Sequence, residues 1–132
     1  MNFLLDTHVF LWALFGNDQL SESAAQIIIN PENSIFISVI TFWEISLKYS
    51  AGKLSLHNIS PDILPDYAEK SGFEILTVTP KEVATFDKLP KLKHKDPFDR
   101  LLIWQCIQHH ISLISRDHEL SEYEKFGLKI TW

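Results

Sequence analysis

Four carboxylates in this chain sit where acids can act together. Asp6 directly follows one short apolar run, Asp117 comes just after the run from Ile111 to Ser115, Glu44 lies near the start of a helix after a third, and Asp99 lies in the first turn of the helix leading to a late strand. Carboxylates crowded together repel, and each raises the pKa of its neighbours unless a cation neutralises them. Four of them match the charge of two divalent ions. Oxygen-only donors favour Mg²⁺ or Mn²⁺, because Zn²⁺ usually takes His or Cys, and the chain offers no Cys pair and no His-x-x-x-His spacing. Such ions activate water and stabilise the leaving oxygen of a phosphodiester, so carboxylate, metal and phosphate belong together.

The formal charge of -5 excludes a generally basic coat, but the cations are unevenly spread. Five of the twelve fall in Lys88, Lys91, Lys93, Lys95 and Arg100, against Asp96 and Asp99, so this stretch carries a local excess of three positive charges. Alone it reads as a solvated loop. Beside an acidic, metal-charged pocket it reads as a grip on the phosphates flanking a scissile bond in a nucleic acid.

The elements that must position these groups alternate. Asn2 to Leu5 reads as a strand and Thr7 to Phe15 as a buried helix stopped by Gly16-Asn17-Asp18. Ser21 caps a helix to Ile29, Ile35 to Ile37 is a strand, and a helix from Ser38 or Thr41 runs to Tyr49. Further helices are expected over Pro61 to Lys70, over Pro80 to Asp87 after Thr79, and over Pro97 to His109 after Asp96. Glu74 to Val78, Ile111 to Ser115 and Leu128 to Thr131 complete the strands. Alternation of this kind implies parallel crossovers and a three-layer α/β/α fold with a central, mainly parallel sheet. In such sheets ligands bind beyond the carboxyl ends of the strands, the edge where the four acids fall.

Each acid also has a local explanation. Asp6 can cap the helix it precedes, Thr41-Phe42-Trp43-Glu44 matches a capping box, and Asp117 can cap a turn through His118 and Glu119. Asp96 is a cap with Pro97 at the first helical position, and Asp99 sits where the helix dipole favours an anion. Thr7, Asp96 and Ser115 stand beside the four acids as caps or supports, and Arg100 and Arg116 join Lys91, Lys93 and Lys95 as candidate phosphate contacts. His8, His94 and His118 lie beside acids and can orient substrate, although lone histidines are more often surface or hydrogen-bonded residues. Trp12, Trp43 and Trp104 recur on apolar helical faces and read as core rather than as base-stacking platforms.

Composition bounds the rest. With 132 residues, 45% of them apolar, the chain fits one domain over 1–132. Its longest apolar run, Val9 to Phe15, is seven residues, far below the roughly 20 of a membrane span. No cation precedes that run as a secretory signal requires, and the single Cys106 suits a reducing compartment, so the cytoplasm is the expected location. With four glycines and no Gly-rich phosphate loop, dinucleotide and P-loop readings are set aside, and no nucleophile elbow is present.

The segments Leu4-Leu5-Asp6-Thr7-His8, Ser38-Val39-Ile40-Thr41-Phe42-Trp43-Glu44-Ile45, His94-Lys95-Asp96-Pro97-Phe98-Asp99-Arg100-Leu101-Leu102 and Leu113-Ile114-Ser115-Arg116-Asp117, in that order, resemble PIN domains, specifically VapC-type toxins. The resemblance runs nearly end to end. It implies that Asp6, Glu44, Asp99 and Asp117 bind Mg²⁺ or Mn²⁺ and cleave RNA, with Asp96 outside the aligned acids. Cys106 stands where a small alanine is common in such toxins, a difference of packing. The resemblance also implies a homodimer, weakly supported by the many apolar helical faces, and a cognate antitoxin that blocks the groove. Two other functions stay open on the residues alone. A receiver-like phosphoacceptor is small, α/β and Mg²⁺-binding, although Leu5-Asp6-Thr7 lacks its paired acids; a catalytically silent binding module is the other.

Overall fold

The computed structural model describes residues 1–16 and 18–132, so the share of the expected helix stop that falls on Asn17 lies outside the described residues. Five strands, β1 (Asn2–Leu5), β2 (Ser34–Ser38), β3 (Glu74–Leu76), β4 (Ser112–Ile114) and β5 (Lys129–Thr131), form one sheet in the order β3-β2-β1-β4-β5. Every pairing is parallel. Between them run α1 (Thr7–Phe15), α2 (Glu22–Ile29), α3 (Val39–Ser50), α4 (Leu64–Lys70), α5 (Pro80–Ala84) and α6 (Pro97–His109).

Alternation along the strands builds a core on each face. Phe3, Leu5, Ile35, Ile37 and Ile114 pack with Val9 and Phe10 of α1, Ala24 of α2 and Ala68 of α4. The intervening Leu4, Phe36 and Leu113 point the other way, against Leu102, Ile103 and Cys106 of α6. The register makes this consistent across strands, since Leu4 is paired with both Phe36 and Leu113 while Leu5 is paired with Ile114. A sheet covered on both faces gives the three layers that the alternating pattern implies. Cys106 is buried there, and desolvation pushes its thiol pKa up, so it is an inert packing group.

Three expected helices differ in detail, each for a local reason. α3 takes the earlier of its two starts, because the Ser38 hydroxyl accepts the Ile40 N–H at 3.1 Å. Thr41 is therefore interior and the expected capping box does not form. The Pro61 to Lys70 segment divides into a 3₁₀ turn, Pro61–Ile63, and α4, since Pro65 has no N–H to give the Pro61 carbonyl. The segment after Thr79 breaks at Thr85, whose hydroxyl donates back to the Lys81 carbonyl at 2.6 Å, and a separate turn follows at Phe86–Lys88.

The chain lays β2 and β3 to one side of β1 and then crosses back to lay β4 and β5 on the other. The strand order therefore reverses at β1, and a crevice opens at its carboxyl end. Exposed Trp43 and Val83 line an apolar groove formed with Ile40, Phe86, Phe98 and Leu101, beside the first turns of α3 and α6. Among the described residues no helix is long and apolar enough to cross a membrane.

Candidate active site

Asp6 leaves β1 as the N-cap of α1. Its Oδ1 accepts the Val9 N–H at 2.9 Å, and its own N–H reaches the Ile114 carbonyl of β4 at 3.1 Å. Because Leu5 is in register with Ile114, Asp6 and Ser115 emerge side by side. The buried Ser115 hydroxyl hydrogen-bonds the Asp6 side chain and accepts the Asp117 N–H at 3.1 Å, so one residue holds both the first and the last of the four acids. Burial raises the Asp6 pKa and nearby Glu44 adds to it, against the opposing hydrogen bonds from Ser115 and Val9.

Glu44 is only 2% exposed, and α3 aims it at α1. The Thr7 hydroxyl donates to its Oε1 at 2.6 Å, and the Lys48 ammonium, one turn further along α3, pairs with its Oε2. Lys48 also lies within the field of Asp96 and Asp99. Burial alone would lower its pKa, but the three carboxylates raise it, so it stays a cation inside the acidic cluster. Sequence reasoning missed Lys48, although Glu44 and Lys48 have the i, i+4 spacing of a helical ion pair.

Asp96 caps α6, its Oδ1 accepting the N–H groups of Phe98 at 2.9 Å and Asp99 at 3.1 Å. Its carboxylate is thereby committed to the helix terminus. Asp99, on the same turn, has its pKa raised to about 6 by burial first, with Asp96 and Glu44 adding to the shift and His94 opposing it. His94 Nε2 lies 2.7 Å from Asp99 Oδ2, and its Nδ1 lies 3.7 Å from Asp117 Oδ2 and 3.6 Å from Glu119 Oε2. Burial lowers the His94 pKa, but the surrounding carboxylates, Asp99 above all, outweigh it and raise it.

The four expected acids therefore form a chain rather than a single knot. Glu44 acts on both Asp6 and Asp99, and Asp117 joins through Ser115 on one side and His94 on the other. Among the described residues, His94, Asp117 and Glu119 each offer a donor atom within 4.8 Å of the others, close enough to share an ion. His94 thus adds a nitrogen atom to the atoms near the acids, which no His-x-x-x-His spacing announced. His94 lies far in sequence from Asp117 and Glu119, so no spacing rule could disclose it. His118 does not join them, and His8 packs its ring 5.8 Å from that of Trp12.

Of the basic residues, Lys91, Lys93 and Lys95 are all exposed on the loop leading into α6. Arg100 is differently employed. Its guanidinium donates to the carbonyls of Leu89 at 3.0 Å and Pro90 at 3.4 Å and to the Tyr123 hydroxyl at 3.3 Å, and lies over the Phe86 ring, so it holds the base of that loop. Arg116 stacks on Trp12 and donates to Gln19, lining a cleft with Asp6, His8, Trp12 and Asp117. Trp12, expected in the core, is thus half-buried at the rim of the site, whereas Trp104 is core as expected and Trp43 is exposed.

Comparison with curated proteins gives no match. Among solved structures, the VapBC2 complex of Rickettsia felis bound to a promoter DNA fragment is similar at a TM-score of 0.70 and 16% identity, covering 99% of this chain and 98% of that one. DNA-bound VapBC from Salmonella typhimurium reaches 0.65 at 19% identity, covering 99% and 97%. A toxin-antitoxin complex from Klebsiella pneumoniae reaches 0.51 at 21%, covering 98% and 95%. At such identities the likeness is one of fold. A family model described as PIN domain matches residues 3–126, nearly the whole chain, and with the acid-lined crevice at the carboxyl edge of the sheet this places the chain in the PIN domain family.

Proposed function

We propose that this chain, as one domain over 1–132, is a divalent-metal-dependent endoribonuclease and the toxin of a toxin-antitoxin pair. The observation that carries the reading is the convergence of Asp6, Glu44, Asp99 and Asp117 on one crevice, where burial and mutual repulsion raise the pKa of Asp6 and Asp99. A site that makes carboxylates costly to ionise is one that a cation stabilises. The donor set suits Mg²⁺ or Mn²⁺, and when bound such an ion lowers the pKa of water and stabilises the leaving oxygen of a phosphodiester.

The protein's own groups prepare that site. Thr7 and Lys48 fix the Glu44 carboxylate, Ser115 fixes Asp6 relative to Asp117, and Asp96 holds the helix end that presents Asp99. Lys91, Lys93 and Lys95 hold the phosphates flanking the scissile bond, Arg100 keeps their loop in shape, and Arg116 contacts the strand at the rim beside Trp12. The toxin-antitoxin complex from Klebsiella pneumoniae, alike in fold, supports an antitoxin protein as partner, and the exposed apolar face around Trp43 supports a homodimer. These assignments describe a protein of the cytoplasm, where RNA and antitoxin are both at hand.

The test is cleavage of RNA by the purified chain. Activity is expected with Mg²⁺ or Mn²⁺, none in EDTA, and a loss of several orders of magnitude in Asp6→Asn. Undiminished cleavage in chelator, or in Asp6→Asn, defeats the proposal.

A further inference from the structure

We propose that His94 is a nitrogen ligand to a divalent ion shared with Asp117 and Glu119, so that the site holds two unlike positions, one walled by carboxylates and one by a mixed set that favours Mn²⁺ over Mg²⁺. This rests on the metal-dependent reading above and adds to it two ligands, His94 and Glu119, and a preference between metals.

His94 is held like a metal ligand. Its side chain is 13% exposed, and Nε2 faces Asp99 Oδ2 at 2.7 Å. With the Asp99 carboxylate accepting there, Nε2 carries the hydrogen, and Nδ1 faces the other two carboxylates, where a bound divalent ion would take the place of a proton. A carboxylate that fixes the tautomer and orientation of an imidazole in this way is the usual support of a metal-binding histidine.

On the far side, Nδ1 stands 3.7 Å from Asp117 Oδ2 and 3.6 Å from Glu119 Oε2. Both separations exceed a hydrogen bond and slightly exceed the roughly 3 Å between neighbouring ligands that each lie about 2.1 Å from one octahedral ion. Glu119 is highly exposed, so its carboxylate is free to close the remaining gap. Asp117 is not: its Oδ1 accepts the Glu119 N–H at 3.0 Å and its own N–H is held by Ser115, which leaves Oδ2 directed at His94. The three donors come from the loop before α6 and from the turn after β4, so folding alone brings them together.

The assignment divides the carboxylates sensibly. Asp99 gives Oδ2 to His94, which leaves Oδ1 available to the carboxylate-walled position, and Glu44 is the acid that acts on Asp99 from that side. An imidazole donor raises affinity for Mn²⁺ and for later transition ions far more than for Mg²⁺, which prefers oxygen and keeps its waters.

Pulsed electron paramagnetic resonance of Mn²⁺ added to the intact chain tests this directly. The wild type is expected to show ¹⁴N modulation from a coordinated imidazole. That signal should vanish in His94→Gln and persist in His8→Gln and His118→Gln. Titration should show Mn²⁺ affinity falling about tenfold in His94→Gln, with Mg²⁺ affinity nearly unchanged. Because His94 is largely buried and its variant is at risk of misfolding, exposed Glu119→Gln provides a second measurement: weaker Mn²⁺ binding with the ¹⁴N signal retained. Absence of ¹⁴N modulation in the wild type, or its persistence in folded His94→Gln, overturns the proposal. If that result comes with metal-dependent RNA cleavage, the nuclease reading stands and this one falls. If Mn²⁺ does not bind and cleavage proceeds in chelator, both fall.

Discussion

Asp96 and Asp99 occupy one turn of one helix, yet the structure gives them opposite conditions. The Asp96 carboxylate is spent on two backbone N–H groups, and Asn caps nearly as well as Asp, so Asp96→Asn is expected to shift stability by less than about 0.5 kcal/mol and to leave cleavage near normal. Asp99 faces other acids, with its pKa raised from 3.8 to about 6. For a carboxyl group the sign of that shift matters: the folded state holds the proton more tightly than the unfolded chain, so stability from this group is lost as pH rises through about 6 and regained as it falls toward 3.8. Removing the charge should therefore stabilise the metal-free protein above pH 6, by an amount on the order of 1 to 2 kcal/mol after allowing for partial exposure and for the lost His94 contact. Asp99→Asn is thus expected to melt a few degrees higher in EDTA at pH 7.5, to lose the stabilisation that added Mg²⁺ gives the wild type, and to cleave RNA orders of magnitude more slowly. Thermal melts and cleavage rates of both variants, with and without Mg²⁺, decide it. An inactive Asp96→Asn beside an active Asp99→Asn reverses the assignment.

At the level of elements, four helix caps were readable in the sequence as a short polar side chain directly before the first helical turn. Asp6, Ser21, Thr79 and Asp96 all cap as their positions imply. Two polar candidates in succession were not resolvable, and the choice of Ser38 over Thr41 decides the role of Glu44. With α3 starting at Val39, Glu44 lies too deep to close a capping box, and its carboxylate turns to Thr7 and Lys48 instead. The strand-end acids were legible because parallel strands all finish at one edge. Contacts between loops distant in sequence, such as His94 with Asp117, were not, since nothing local encodes them. The Thr7 to Glu44 bond ties α1 to α3 and is open to test. Thr7→Val keeps the shape but removes the only hydroxyl that Thr7 can offer, leaving the buried Glu44 oxygen poorly satisfied, at a cost of about 1.5 to 3 kcal/mol in chemical denaturation. A loss below about 0.5 kcal/mol would mean that Lys48 alone compensates Glu44.

On the scale of the whole molecule, the proposed function requires an acidic protein to attract an acidic polymer. The net charge of -5 opposes RNA at long range, and salt screens that repulsion beyond about 8 to 10 Å. What remains at close range is local, and there the exposed Lys91, Lys93 and Lys95 rim the same sheet edge as the acids, on a loop that Arg100 anchors from beneath. The proposed function implies a division: the lysines would contribute binding, whereas the acids would contribute chemistry once a cation is present. If all three lysines contact phosphate, each releases condensed counterions from a single strand, so the slope of log K against log salt should be shallower by about 2 when all three are changed to Gln. The triple variant is also expected to bind RNA more weakly at low salt, to converge with the wild type at high salt, and to retain its cleavage rate at saturating RNA, because none of the three touches an acid of the site. Arg100→Gln should behave differently, losing stability through the freed carbonyls of Leu89 and Pro90 rather than losing a phosphate contact. Fluorescence anisotropy with a short, metal-free RNA over a range of salt concentrations measures the slope. A triple variant with an unchanged slope would return this loop to an ordinary solvated surface, and the grip on RNA would then have to come from Arg116 and the Trp12 rim.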